Sequence, residues 1–132
     1  MLADDNAPVR RSLRALLERE GFKVVAEASD GEQAVSLACK HRPDIILLDL
    51  SMPHLNGIEA ARQILRSVPG ARTIILTVHR DYQYVAWALE AGIRGYILKG
   101  RAVEELARGV HEVAEGKVYL SRGLSRQVLQ KV

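Results

Sequence analysis

The feature of the sequence that most constrains the fold is the segment from Pro43 to Gly57. Its first half holds four aliphatic residues in succession, Ile45 to Leu48, and its second half is rich in turn-forming residues. An apolar run of this kind, bounded by turn signals, is typical of a strand buried on both faces of a parallel sheet. Asp49 follows the run directly. A carboxylate at the end of a buried strand must be paired, bind a cation or do chemistry, so Asp49 is the first functional candidate; alternatively, it merely begins a loop.

The length and composition of the chain favour a single globular domain. The chain has 132 residues, of which 48% are hydrophobic, and this is enough for one core. The single cysteine, Cys39, excludes an internal disulfide, and we expect a buried thiol in a reducing compartment. No apolar run approaches the roughly 20 residues that span a bilayer, so we predict a cytoplasmic protein without membrane contact. The net charge of +3 is spread along the chain and is weak evidence for nucleic-acid binding.

Helical patterns alternate with short β-rich segments along the chain. The sequence predicts strands at 1–3, 23–28, 45–48, 73–78 and 94–99, and a helix after each of them. This alternation, with short connections, predicts an α/β fold in which helices cover both faces of a five-stranded parallel sheet. Only three residues precede the acids Asp4 and Asp5, so we expect the first strand to be shortened.

Polar residues follow four of the predicted strands: Asp4 and Asp5, Asp49, Thr77 and Lys99. Ligands bind at the carboxyl ends of parallel strands, so we expect these side chains to converge. Three converging carboxylates repel one another unless a divalent cation lies between them, and oxygen ligands without His or Cys indicate magnesium. A carboxylate beside magnesium, an ammonium group and a hydroxyl is suited to phosphoryl transfer with Asp49 as nucleophile.

Each of these residues also has a purely structural explanation. Asp4 and Asp5 can cap the following helix, Thr77 can be an ordinary strand residue, and Lys99 can be a solvated surface charge. Tyr96, near the end of the last predicted strand, can be plain core. The functional interpretation is favoured because it accounts for all of these residues together.

Several motifs, in this order, resemble the receiver domain of bacterial two-component response regulators. They are the Asp4-Asp5 pair, the segment from Leu47 to Gly57, Thr77, and the Gly-Tyr-Ile-Leu-Lys sequence that ends at Lys99. The resemblance covers essentially the whole chain. Residues 91–121 are similar to the NarL/FixJ-like subgroup of transcriptional regulators.

The resemblance implies a flavodoxin-like strand order of 2-1-3-4-5 and a phosphoacceptor role for Asp49, with a sensor histidine kinase as donor. It implies that magnesium is held by Asp5, Asp49 and the backbone carbonyl of Ser51, with Asp4 acting mostly through water. The chain would then be a signalling switch, and not an enzyme beyond its own phosphotransfer and dephosphorylation.

The resemblance also assigns roles to residues around this acidic pocket. Thr77 and Tyr96 would form a switch pair, in which Thr77 moves toward the phosphoryl group and the Tyr96 ring turns inward. Lys99 would bind a phosphate oxygen. Ser51 and His79 lie at the rim, where they would modulate the dephosphorylation rate by governing water access.

For domain organisation, residues 1–117 are interpreted as the receiver and 118–132 as an extension. Ser121 to Lys131 are predicted to begin a linker helix toward a DNA-binding domain of LuxR type that these residues do not include. DNA would therefore be contacted only through such an output domain. A phosphorylation-dependent homodimer is a further expectation. Trp87 is predicted near the polar side of the fourth helix, where it would be an exposed part of the output face or, alternatively, would fold over its own helix.

Two other functions compete with this interpretation. A magnesium-dependent phosphohydrolase would also form an aspartyl-phosphate, but we expect such an enzyme to carry a second acid two residues after its nucleophile, where this chain has Ser51. A nucleotide- or flavin-binding domain would need a glycine-rich phosphate loop after a strand, and the sequence has none. A sharp bend is also expected after Lys99, through a cis Lys99–Gly100 peptide bond or, alternatively, through a trans bond with positive φ at Gly100.

Overall fold

The computed structural model describes residues 1–124. The strands are β1 (Leu2–Ala3), β2 (Glu27–Ala28), β3 (Ile45–Asp49), β4 (Arg72–Thr77), β5 (Gly95–Leu98) and β6 (Tyr119–Leu120). The helices are α1 (Ala7–Arg19), α2 (Gly31–His41), α3 (Gly57–Ser67), α4 (Tyr82–Glu90) and α5 (Ala102–Ala114). The predicted linker helix, Ser121 to Lys131, lies largely outside the described residues.

The strands form one parallel sheet in the order β2-β1-β3-β4-β5-β6. The predicted α/β class and the order 2-1-3-4-5 are therefore confirmed, and β1 is short as expected. Within residues 1–124, however, the sheet has six strands and not five. The sequence did not indicate β6 because this strand has only two residues and no apolar run of its own.

The core lies in two layers, one on each face of the sheet. Buried side chains of α1 and α5 pack on one face, where Leu2, Leu47 and Ile97 belong to the same cluster. Buried side chains of α2, α3 and α4 pack on the other face together with Ile46 and Tyr96. β3 thus contributes to both layers, as its continuous apolar sequence predicts.

Three of the helices begin at a side-chain cap. The side-chain oxygens of Asn6, Asp30 and Asn56 each accept a hydrogen bond from the backbone amide three residues further on, at 3.1, 2.7 and 2.9 Å. Such caps satisfy amides that have no partner inside the helix. They fix the start of α1, α2 and α3 next to the carboxyl ends of β1, β2 and β3. Within residues 1–124, no helix is long and apolar enough to cross a bilayer.

Three local expectations are wrong. The predicted strand at 23–28 forms only over Glu27–Ala28, because β1 offers only two residues for pairing. Cys39 is exposed on α2 instead of buried. The Lys99–Gly100 bond is trans and Gly100 does not have a positive φ; a 3₁₀ turn over Lys99–Arg101 makes the bend.

Polar contacts link the residues that follow β6 to β5 and α5. The buried Ser121 hydroxyl donates to Glu105 Oε1 at 2.5 Å and accepts from the Leu98 amide at 2.9 Å. Glu105 Oε2 also accepts from the Arg122 amide at 3.2 Å and pairs with Arg101 Nε at 2.7 Å. Burial alone would raise the pKa of Glu105, but these donors outweigh it and lower that pKa.

Ser121→Ala should therefore lower the free energy of unfolding by about 1–3 kcal/mol, because it leaves the Leu98 amide and a Glu105 oxygen buried without a partner. Urea unfolding would measure the loss. Ser36→Ala, which removes an exposed hydroxyl from α2, is the matched control and should change stability by less than about 0.5 kcal/mol. Equal effects of the two substitutions would contradict the role given to Ser121.

Candidate functional site

The carboxyl edge of the sheet brings together the predicted polar residues. Asp4 follows β1, Asp49 ends β3, Thr77 ends β4 and Lys99 follows β5. Asp4, Asp49 and Thr77 are buried, whereas Asp5 is exposed. Residues far apart in sequence thus form one pocket, because every strand of the sheet points in the same direction.

Lys99 bridges two buried carboxylates of this pocket. Its Nζ atom lies 2.9 Å from Asp4 Oδ2 and 3.2 Å from Asp49 Oδ2. Burial alone would lower the pKa of Lys99, but the two carboxylates outweigh burial and raise this pKa. The ammonium group is therefore charged at neutral pH and available to an anionic oxygen on Asp49.

The three acids are close enough to share one cation. One carboxylate oxygen each from Asp4, Asp5 and Asp49 lies within 4.8 Å of the others. Three carboxylates beside one ammonium group leave an excess of two negative charges, which matches a divalent ion. The donors are all oxygen atoms, so the residues fit magnesium better than zinc.

The environment of Asp49 differs from that of an ordinary surface aspartate. Burial raises the pKa of its carboxyl group, and the charge of Asp4 acts in the same direction, while Lys99 and the Ser51 amide oppose the shift. The Ser51 amide lies 3.3 Å from Asp49 Oδ1. A buried carboxylate whose pKa is raised is a stronger base than one in water, and therefore a better nucleophile.

Asp4 is held in place by local hydrogen bonds. Its Oδ1 atom accepts from the Asn6 amide at 2.9 Å, and its carbonyl oxygen accepts from Arg10 at 2.7 Å. Arg10 in turn donates to Glu27 on β2 at 3.0 Å. Sequence reasoning missed Arg10 and Glu27, since no spacing signal connects a helix residue to a strand 17 positions away.

Two glycines let the loop after β3 pack tightly beside Asp49. A Cβ atom on Gly57 would lie 2.3 Å from the carbonyl oxygen of Asp49, and one on Gly31 would lie 1.9 Å from that of Leu55. Any larger residue would displace this backbone. His54, whose φ is 68°, makes a turn within this loop. The sequence marked Gly57 as a turn residue but gave no reason to connect Gly31 with the site.

The rim residues Ser51 and His79 contact each other. Ser51 Oγ lies 3.2 Å from His79 Nε2. The His79 amide donates to Thr77 Oγ1 at 3.1 Å, and the Tyr96 hydroxyl donates to the His79 carbonyl oxygen at 2.8 Å. The Tyr96 ring is fully buried and therefore already occupies the inward position. The backbone amide and carbonyl of His79 thus connect Thr77 with Tyr96, the two members of the predicted switch pair.

An aromatic chain leads from the rim to the surface of α4. The His79 and Tyr84 rings lie 4.9 Å apart, and the Tyr84 and Trp87 rings meet edge to face at 5.5 Å. Trp87 is 44% exposed, although its ring packs on Tyr84 of its own helix. Tyr84 was not identified from the sequence, because its ring partner lies in the loop before the helix.

Comparison with known proteins identifies the family. The family model of the response regulator receiver domain matches residues 1–111. The curated protein "Response regulator UvrY" of Escherichia coli K12 is 39% identical over 129 residues, which cover 97% of this chain and 59% of that protein. The chain thus spans somewhat more than half the length of such relatives.

Solved structures of similar proteins support the same family assignment. The crystal structure of a two-component response regulator of the LuxR family from Aurantimonas sp. SI85-9A1 is 36% identical and has a TM-score of 0.95, covering 99% of this chain and 94% of that one. The receiver domain of the putative response regulator NarL from Mycobacterium tuberculosis is 32% identical, with a TM-score of 0.82 and coverages of 88% and 94%. The chain therefore belongs to the response regulator receiver domain family, among relatives of LuxR type.

Proposed function

We propose that the chain is a magnesium-dependent phosphoacceptor switch that is phosphorylated on Asp49 by a sensor histidine kinase. The observation that carries this proposal is the buried Asp49 carboxylate, which lies 3.2 Å from the Lys99 ammonium and within reach of two further acids. A structural ion pair alone would not need the third carboxylate. The family relationship supports the same function.

The metal would be bound by Asp5, Asp49 and the backbone carbonyl of Ser51, and Asp4 would act through water. When bound, magnesium supplies charge that neutralises the phosphoryl oxygens. Asp5 is exposed and therefore free to ligate, whereas Asp4 is already engaged by Lys99 and the Asn6 amide. This difference supports a direct role for Asp5 and an indirect role for Asp4.

In the phosphotransfer step, an Asp49 oxygen attacks the phosphorus of a phosphohistidine. The new O–P bond forms as the N–P bond breaks, and the imidazole nitrogen leaves with the electron pair of that bond. Lys99 would bind one phosphoryl oxygen and would then exchange part of its contact with Asp49 for the phosphoryl group.

The switch would follow from Thr77. Its hydroxyl oxygen accepts from the His79 amide, so moving this oxygen toward a phosphoryl group would lengthen that contact. The His79 carbonyl remains held by Tyr96, whose hydroxyl donates to it. Movement of Thr77 would therefore shift the loop between β4 and α4 against Tyr96, and this would alter the surface of α4.

The proposal also covers the transcriptional output of the switch and its binding partners. By analogy with its LuxR-type relatives, the receiver would regulate transcription in the cytoplasm, and DNA would be contacted by an output domain outside residues 1–132. Phosphorylation would favour a homodimer. The alternative function, a magnesium-dependent phosphohydrolase, is less well supported because Ser51 stands where such an enzyme would carry its second acid.

Asp5→Asn should abolish magnesium-dependent phosphorylation by acetyl phosphate, because it removes a direct metal ligand. The fold should stay intact or become more stable, since carboxylate repulsion is relieved. Intact-protein mass spectrometry would measure the labile phosphoryl adduct on Asp49. Asp44→Asn, an exposed acid at the opposite end of β3, is the matched control. Normal phosphorylation of the Asp5 variant would refute the assignment, and turnover of many small phosphoesters would favour the hydrolase.

The phosphorylated state should decay at a slow to moderate rate, because neither Ser51 nor His79 carries a carboxylate or carboxamide to orient water. Ser51→Asn together with His79→Glu should speed phosphate loss by about tenfold with little change in magnesium affinity, since only the Ser51 backbone binds the ion. Phosphate release would be followed over time. An unchanged lifetime in the double variant would show that these side chains do not govern water access.

Trp87 fluorescence should change when Asp49 is phosphorylated, because the Trp87 ring packs on Tyr84 and Tyr84 packs on His79. Trp87 is the only tryptophan, so the signal has one source. Tyr84→Leu should reduce the change by breaking the aromatic chain. Constant wild-type emission, with the phosphoryl adduct verified by mass, would contradict this connection.

A further inference from the structure

The turn between β1 and α1 carries two of the three acids of the site, Asp4 and Asp5. The carbonyl of Asp4 belongs to the peptide unit that joins these two residues. A peptide unit is planar, so a contact that holds this carbonyl also sets the direction in which the chain enters Asp5. Asp5 is exposed, and burial therefore does little to fix its side chain. The orientation of Asp5 thus depends on how the Asp4 carbonyl is held.

Arg10 of α1 holds the Asp4 carbonyl with one arm of its guanidinium group. Its Nη1 atom donates to that oxygen at 2.7 Å, and its Nε atom donates to Glu27 Oε1 at 3.0 Å. The guanidinium group is planar and rigid, so the contact with Glu27 aims Nη1 at the carbonyl. The Arg10 side chain is only 19% exposed, which distinguishes this ion pair from the solvated pairs that contribute little at a protein surface.

Glu27 of β2 is itself fixed from two sides. Its Oε2 atom accepts from Arg14 Nη1, while Oε1 accepts from Arg10. Hydrogen bonds from Arg14 and Arg10 outweigh burial and lower the pKa of Glu27, so this carboxylate is charged at neutral pH. Next to Glu27, the Ala28 carbonyl accepts from the Asp4 amide at 3.0 Å. The amide and the carbonyl of Asp4 are thus both tied to β2, the amide directly and the carbonyl through Arg10.

We propose that Arg10 and Glu27 are positioning residues for the magnesium site: they orient the Asp4–Asp5 peptide unit so that the Asp5 carboxylate faces Asp49. Carboxylate oxygens of Asp5 and Asp49 lie within 4.8 Å of each other, which is close enough for one ion to bind both. Arg10 and Glu27 act on the metal only through the backbone that carries its ligands. This role rests on the proposed function, because the metal is the same.

The positive charge of Arg10 predicts the opposite effect on the metal. A cation beside a magnesium site repels the ion, so removal of the charge alone would raise the affinity for magnesium. Loss of the hydrogen bond to the Asp4 carbonyl lets the peptide unit turn, so that the Asp5 carboxylate faces Asp49 for less of the time, and this would lower the affinity. The two effects differ in sign, and the magnesium affinity of an Arg10 variant therefore separates them.

Magnesium binding to the full chain would be measured by isothermal titration calorimetry without a phosphodonor. Arg10→Gln should raise the Kd by about tenfold or more, as is usual when a residue that orients a metal ligand is lost. Arg10→Lys keeps the charge but cannot reproduce the two-nitrogen fork that joins Glu27 to the Asp4 carbonyl, so it should also weaken binding. Adding Glu27→Ala to Arg10→Gln should cause little further loss, because the two residues act as one unit.

Arg14→Gln is the matched control. It removes the same charge from the same helix and a hydrogen bond to the same Glu27, but it leaves the contact of Arg10 with the Asp4 carbonyl in place. The Kd of this variant should stay within about twofold of the value for the unsubstituted chain. Thermal unfolding without magnesium would be measured for every variant, so that each titration is made on folded protein.

The positioning role is overturned if Arg10→Gln binds magnesium as tightly as the unsubstituted chain, or more tightly. It is also overturned if Arg14→Gln loses as much affinity as Arg10→Gln, since the ion pairs would then act through stability or charge alone. If Arg10→Gln does not fold, the affinity of Arg10→Lys decides in its place. Failure of the unsubstituted chain to bind magnesium would instead refute the proposed function and this role together.

Discussion

The contact of Lys99 with Asp4 and Asp49 is the interaction on which the carboxyl edge of the sheet depends. Two buried carboxylates at neighbouring strand ends would otherwise repel each other and be poorly hydrated. The ammonium group offsets this repulsion but leaves the third acid, Asp5, unbalanced. The site is therefore compatible with a stable fold and still electrostatically incomplete, and this is the condition that the proposed binding of a cation and a phosphoryl group requires.

The position of the site could be predicted from the sequence because it depends on strand ends. A buried strand can be recognised from Ile45 to Leu48, and parallel topology then places Asp4, Asp49 and Lys99 at one edge. Contacts made across the fold by isolated side chains leave no periodic signal. Ser121 and Glu105 are one example, since their hydrogen bond depends on a two-residue strand that the sequence did not indicate.

The wrong predictions of a strand boundary and of a peptide geometry have a different origin from the contacts that were missed. The segment 23–28 has strand composition, but a strand also needs a partner, and β1 pairs with only two of these residues. At Lys99–Gly100 the expectation of a special peptide geometry was wrong, since a turn of 3₁₀ helix makes the bend with ordinary dihedral angles. In both cases the neighbouring segments of the same chain, and not the local residue type, decided the backbone conformation.

The two outermost strands of the sheet, β2 and β6, have only two residues each. An outer strand exposes unpaired backbone amides and carbonyls, and long, flat outer strands are templates for aggregation between molecules. Here the longest strands, β3 and β4, lie in the interior of the sheet, and each outer ladder ends after two residues. Within residues 1–124, the sheet therefore offers no long row of unpaired backbone groups along its outer strands to a neighbouring copy.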